Sequence, residues 1–207
     1  MLPSKNKFSL KTNKPIILAS NSAIRKKILR QSGLKFKTIP SELNEILIKM
    51  KLKGKPFSSI SKILAQEKAL KISKKFNSSF VIGADQICVF GKKKINKPLT
   101  KEKAVRQLMM LAGKEHKQIT GCSICLNGRI MHTFYKAAVL KMRKLSKRQI
   151  TDYVNYDMPL YSCGAYKFES RGFLLFSNVL GDQFTIQGLP IFSLFNFLLK
   201  KNIISYE

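Results

Sequence analysis

The chain has 207 residues, 44% of them hydrophobic, and its 39 Lys and Arg against 11 Asp and Glu give a formal charge of +28. Length and hydrophobic content suit one folded unit, and no stretch approaches the ~20 apolar residues of a membrane span. Read alone, the charge suggests nucleic acid or an anionic surface, but the lysines are dispersed, so most read as solvated surface whose summed field draws polyanions inward.

Residues 1–14 are basic and polar and lack the apolar core of a signal peptide. They read as a flexible leader before a single domain over 15–207, in a protein expected to stay in the cytoplasm and off membranes. Pro15 to Ala19 reads as a short buried strand ending at Ser20-Asn21-Ser22. Ser22 is the natural N-cap of a helix with apolar Ile24, Ile28 and Leu29, closed by Gly33. Amide groups at that helix start, the hydroxyls of Ser20 and Ser22 and the guanidinium of Arg25 together suit a phosphate cradle, though taken alone the stretch reads first as an ordinary strand-to-helix junction with a solvated basic face.

Leu34 to Ile39 reads as a half-exposed strand, and Ser41 to Glu45 as a loop in which one acid could reach a metal. A long helix follows from Phe57 to Lys75, with Ile60, Ile63, Leu64, Leu70 and Ile72 as its expected buried face. Lys68 lies on or beside that stripe with no acid three or four residues away, so its stem either snorkels to water or aims its ammonium at an anion.

Phe80 to Phe90 is the central stretch, an apolar run of the kind buried on both faces, interrupted by Gly83, Asp85 and Gln86. A carboxylate in such a strand is paired, metal-bound or tuned for chemistry, because leaving it alone there is costly. A turn at Gly91 leads to Lys97-Pro98, and Thr100 caps a helix running through Leu111 to Gly113. Two long strands flank Asn127-Gly128, a hairpin signal, and a short helix covers Ser146 to Tyr153. Tyr161 to Glu169 and Gly172 to Phe176 read as strands, and Gly188-Leu189-Pro190 opens an apolar helix to Leu199. The cysteines, Cys88, Cys122, Cys125 and Cys163, lie in apolar strand-like surroundings without metal spacing, and a β pattern sends Cys122 and Cys125 to opposite faces. His116 and His132 read as structural or exposed.

Several landmarks occur together in a known order: Leu18-Ala19-Ser20-Asn21-Ser22 with Arg25, Gln66-Glu67-Lys68-Ala69, Gly83-Ala84-Asp85-Gln86, Lys97-Pro98, Gly113 through Thr120-Gly121, Gly164-Ala165-Tyr166 and Gly188-Leu189-Pro190. In these the chain resembles the Maf family of nucleoside triphosphate pyrophosphatases from Pro15 to about Leu199. The resemblance implies an α/β fold, an elongated mixed sheet flanked by helices, with two lobes around a central cleft. It implies hydrolysis between the α- and β-phosphates to a nucleoside monophosphate and pyrophosphate, assisted by a divalent cation such as Mg or Mn. Asp85 matches the family's proton acceptor, while Ser20, Arg25, Lys68 and Lys97 match positions lining the phosphate site. The cation could be held by Asp85 itself, with Glu45. Gln86 and Glu169 look like the subtype acting on 7-methyl-GTP, and Ile24 stands where that subtype often carries tryptophan. A dTTP/UTP-type or broader preference is the alternative within the family, and a basic nucleic-acid-binding protein with a degenerate cleft is the alternative outside it. The resemblance also allows a homodimer.

Overall fold

The computed structural model describes residues 9–206. β1 (Leu10–Thr12), β2 (Ile16–Leu18) and α1 (Ala23–Gln31) come first, then β3 (Lys37–Thr38), α2 (Glu45–Lys51) and α3 (Phe57–Ser73). β4 (Phe80–Phe90) and β5 (Lys93–Ile95) lead to α4 (Lys101–Leu111), the hairpin of β6 (Glu115–Leu126) and β7 (Arg129–Met142), and α5 (Lys147–Asp157). A 3-10 turn at Gly172–Leu175 precedes β8 (Phe176–Leu180), α6 (Gln183–Ile186), α7 (Ile191–Lys200) and β9 (Ile204–Tyr206).

Among the described residues, one mixed sheet runs in the order β3-β2-β4-β6-β7-β8, with β5 pairing β4 to one side. β2 is parallel to β3 and β4, and every other pairing in this sheet is antiparallel. The result is an α/β fold with a mixed sheet flanked by helices. Local chemistry sets its boundaries. Ser22, Thr100 and Ser146 cap α1, α4 and α5 with their hydroxyls, Ser146 in a full capping box with Gln149. Asn127 and Gly128 both take positive φ between β6 and β7, which is what a two-residue hairpin requires.

The core changes identity along β4. Phe80, Ile82 and Ala84 join a cluster with α1 and α7, and Val81 a cluster on the opposite face beneath α3. Phe90 packs against a third cluster built from α4, α5 and the far part of β7. Asp85 and Gln86 fall between these groups of side chains. Cys122 and Cys125 belong to the clusters on opposite faces, as strand alternation requires.

Helix α3 approaches the sheet more closely than its sequence suggests. Leu64 and Ile72 are buried as expected, but Ile60, Ile63 and Leu70 are only half-buried, and Ser61, Ala65, Lys68, Ala69 and Ser73 make up the rest of the buried face. The small residues sit over glycines. A Cβ on Gly83 would lie 2.2 Å from the Ala65 carbonyl oxygen, and one on Gly121 2.3 Å from that of Ser61. Gly83, Asp85 and Gly121 share that face, because Asp85 pairs with Gly121 across β4 and β6. The helix backbone therefore rests on the sheet, and Lys68 is carried down with it.

Other expectations need correction. Of the leader over residues 1–14, residues 1–8 lie outside the described residues, and Leu10–Thr12 pairs antiparallel with Ile204–Tyr206, its Leu10 packed on the core. The loop expected at Ser41 to Glu45 ends in a helix, because Asn44 caps the Leu47 amide and starts α2 at Glu45. Tyr161 to Glu169 is not a strand: Gly164 and Ala165 have φ of +86° and +61°, and the left-handed pair turns the chain back on itself. Gly172 to Leu175 is 3-10 turn, so the strand that edges β7 begins only at Phe176.

Gly83→Ala and Gly121→Ala should each cost about 3 kcal/mol, since the new methyl meets helix backbone that cannot rotate away. Urea unfolding measures this; an unchanged midpoint would mean that α3 does not rest on these glycines.

Candidate active site

Strand alternation aims Asp85 toward α3 and Gln86 toward the opposite face. On the α3 side, Lys68 Nζ lies 2.7 Å from Asp85 Oδ1 and 2.8 Å from Glu45 Oε1. Lys68 and Asp85 are both buried, at 9% and 7% exposure, so their charges face each other rather than water. Glu45 also pairs with Lys49 one turn along α2. The charges thus alternate through Asp85, Lys68, Glu45 and Lys49. Burial alone would raise the Glu45 carboxyl, but the charges and hydrogen bonds of Lys68 and Lys49 outweigh it and hold it down at about 2.

On the other side Arg25 acts as a clamp. Its Nε donates to the Gly188 carbonyl at 2.7 Å, and its Nη1 donates to the Ala84 carbonyl at 3.0 Å and to Ser20 Oγ at 3.3 Å. Desolvation lowers the pKa of this guanidinium, with the nearby Asp85 charge acting in the opposite direction. Ser20 Oγ also accepts from the Ser22 amide, and Ser22 Oγ caps α1 by accepting from the Arg25 amide. The hydroxyls, the helix start and the guanidinium expected of a phosphate cradle therefore lie together.

A cleft of about 740 Å³ is lined by Ser22, Ile24, Arg25, Glu45, Lys68, Asp85, Gln86, Lys97 and Glu169. Ser20 lines the adjoining cavity of about 570 Å³, which shares many of those walls. All ten residues singled out from the sequence thus meet around one opening. They are not equally free. Gln86 Nε2 is committed to the carbonyls of Ile186, at 2.6 Å, and Thr185, at 3.3 Å, so only its oxygen remains to meet a ligand. Glu169 is exposed at the rim and makes no ion pair among the described residues. Arg171, two residues further on, lies over the Tyr156 ring.

Lys49, Lys94 and Tyr161 also line the larger cleft and escaped the sequence reading. Lys49 was legible once Asn44 is taken as an N-cap, since Glu45 and Lys49 then stand one turn apart. Lys94 was hidden in a run of three lysines. Only the three-residue strand β5, pairing Lys94 with Val89, separates it from its exposed neighbours. Tyr161 is 74% exposed and presents its ring at the cleft.

Beneath the opening, a buried polar group closes the wall. Tyr166 hydroxyl lies 2.9 Å from His116 Nε2 and 2.8 Å from Gln118 Nε2. Desolvation pushes the His116 pKa down to about 4.

Three relatives bear on this geometry. A family model described as Maf-like protein matches residues 15–201. A nucleoside triphosphate pyrophosphatase of Legionella pneumophila (strain Corby) is 40% identical over 191 residues, covering 92% of this chain and 96% of its own. Proteins of the same description from Pelagibacter ubique (strain HTCC1062) and Rhodopseudomonas palustris (strain BisB18) are 38% and 33% identical, over 86% and 94% of this chain and 93% and 97% of theirs.

The histidine makes the wall acid-sensitive. Unfolded, His116 binds a proton below pH 6.5; folded, only below about 4, so the unfolded chain holds more protons between these values and stability falls as pH drops through that window. The loss should approach about 3 kcal/mol by pH 4. His116→Gln should flatten this slope in urea titrations run from pH 7 to pH 4, and an unchanged slope would assign it elsewhere.

Proposed function

Because this chain belongs to the Maf family, whose matched relatives are nucleoside triphosphate pyrophosphatases, we propose that it hydrolyses the α–β anhydride of a nucleoside triphosphate, with Asp85 as proton acceptor. The observation that carries the reading is the buried contact of Asp85 with Lys68, opening on a cleft with five cationic side chains, Arg25, Lys49, Lys68, Lys94 and Lys97, against three carboxylates, Glu45, Asp85 and Glu169. A triphosphate is the kind of ligand such a surplus suits.

The chemistry follows from placement. The α1 start, Ser20 and Arg25 bind phosphate oxygens; Arg25, already anchored to two carbonyls, offers its charge without having to be ordered first. Asp85 takes a proton from water as that water attacks the α-phosphorus. The bond from that phosphorus to the bridging oxygen breaks, and its electron pair leaves on pyrophosphate. Lys68 and Lys97 bear the charge that develops there. Lys68 also fixes Oδ1 of Asp85, which settles the direction from which the proton is taken.

Asp85 and Glu45 fit a divalent cation. Both direct an oxygen at one cationic centre, the Lys68 ammonium, as two hard ligands would flank a metal ion. Magnesium-class ions take one or two carboxylates and complete their shell with water and phosphate oxygens. Bound there, such an ion supplies neutralisation of charge on the phosphate oxygens. Asp85 would serve it with the same oxygens it needs as a base, so the two roles compete.

For the base, Glu169 offers a free carboxylate at the rim, suited to the N1–H and exocyclic amine of a guanine or to the positive charge of a 7-methylated one. Ile24 lines the same walls without a stacking surface, and Tyr161 is an exposed aromatic ring along them. These features support 7-methyl-GTP as the leading substrate. The commitment of the Gln86 amide to α6 favours the second reading, a broader purine and pyrimidine range, because it withdraws two donors from base selection.

Pyrophosphate release from 7-methyl-GTP, GTP, dTTP, UTP and CTP with Mg or Mn tests the proposal. Asp85→Asn should lower turnover about 10³-fold with the fold retained, since Lys68 keeps Glu45 as a partner. Glu169→Gln should lower kcat/KM for 7-methyl-GTP about tenfold and leave UTP unchanged. Turnover that survives Asp85→Asn would remove Asp85 from the chemistry; equal loss on both nucleotides would remove Glu169 from base recognition.

A further inference from the structure

We propose that Lys94, with Lys49 beside it, forms a second anion subsite in the cleft, which holds the terminal phosphates of the substrate and the pyrophosphate released from it. This deepens the reading of the site as a triphosphate hydrolase and rests on it.

Strand register places Lys94 on the same side of the sheet as Asp85. β5 pairs antiparallel with β4 so that Lys94 stands opposite Val89. Val89, Ile87 and Asp85 alternate along β4 and share one face, so Lys94 emerges from the face that carries Asp85. Asp85 and Val89 are ~13 Å apart along the strand, a gap that the flexible four-carbon stem of Lys94 shortens from its own end. Asp85 and Lys94 line the same 740 Å³ cleft. A ligand whose first phosphate meets Asp85 therefore extends its remaining phosphates in the direction of Lys94.

Lys94 is half-buried, and among the described residues its ammonium has no hydrogen bond or ion pair. Desolvation, followed by the charge of Lys49, lowers its pKa. Lys49 is not free to be neutralised further, since it shares Glu45 with Lys68. Three ammonium groups, Lys49, Lys68 and Lys94, thus face two carboxylates, Glu45 and Asp85. A protein that only folded would gain by replacing such an unpaired, partly desolvated cation with an uncharged side chain, because leaving it unmatched is a net cost. A multivalent anion removes both the desolvation cost and the repulsion from Lys49. Lys97, also without a partner, is exposed and solvated, so the same reasoning does not apply to it.

Lys94→Met keeps the length and apolar stem of the side chain and removes its charge. Titration calorimetry of the whole chain with inorganic pyrophosphate, and separately with a nucleoside monophosphate, reads the subsite without turnover. Pyrophosphate should bind the wild type, lose about tenfold in affinity in Lys94→Met and recover most of it in Lys94→Arg, while the monophosphate binds all three alike. The melting temperature of Lys94→Met should equal or exceed that of the wild type, which separates lost binding from lost folding. Equal pyrophosphate affinity in wild type and Lys94→Met, parallel loss of the monophosphate, or no pyrophosphate binding by the wild type would each overturn the subsite. Lys94-dependent pyrophosphate binding in a protein that hydrolyses none of the nucleotides would retain the anion subsite and sink the hydrolase reading instead.

Discussion

The backbone contact between α3 and the sheet governs the rest of the structure. Gly83 and Gly121 leave no Cβ between helix and strands, and the carbonyls of Ala65 and Ser61 occupy the space. One turn further along the helix from Ala65, Lys68 is buried as well, and its ammonium meets Asp85 at the wall of the cleft. Two charges that would be nearly worthless as a surface pair interact more strongly there, because both are largely withdrawn from water. Glu45 completes the group from α2, an element with no buried residue of its own, so the ionic contact with Lys68 is a principal tie between α2 and the body of the protein.

Arg25 provides the matching constraint on the opposite face. Its three side-chain hydrogen bonds join the end of β2, the middle of β4 and the turn before α7. It is therefore a cation held by neutral acceptors, whose charge stays available while its geometry is already spent on the fold. Lys68 is the reverse, a cation whose charge is shared between two acids. The two faces of β4 thus offer different kinds of positive charge to one opening, where the apolar clusters of the core leave a gap between them.

Much of this was legible in the residues. The β4 run, the Ser22 cap, the Thr100 cap and the Asn127-Gly128 turn each follow a local rule, and the structure obeys it. The gathering of ten candidate side chains was legible as well, through the order of the motifs. What escaped depends on contacts between distant segments. Small residues on α3 look unremarkable until Gly83 and Gly121 are known to lie beneath them, so the bulky stripe seemed the buried one. Ala165 in a left-handed conformation breaks the rule that reserves it for glycine or asparagine, and the strand expected from Tyr161 to Glu169 was lost with it. Lys94 could not be told from the other lysines in a chain where 39 residues are basic.

Asp85 and Gln86 are neighbours that face opposite ways, one into a cluster of ammonium groups and the other against two carbonyl oxygens. A shift of β4 by a single residue would send each to the face the other now occupies. Slipped one way, the amide would take the carboxylate's place beside Lys68; slipped the other, the carboxylate would be driven against the Thr185 and Ile186 carbonyls that Gln86 now serves as a donor. Gly83 guards the same register on the α3 side, since a slip would bring a side chain against the Ala65 carbonyl. The adjacent acid and amide thus act as a proofreading mark for strand alignment during folding: the mispaired sheet is penalised at the very position where the chemistry has to be right.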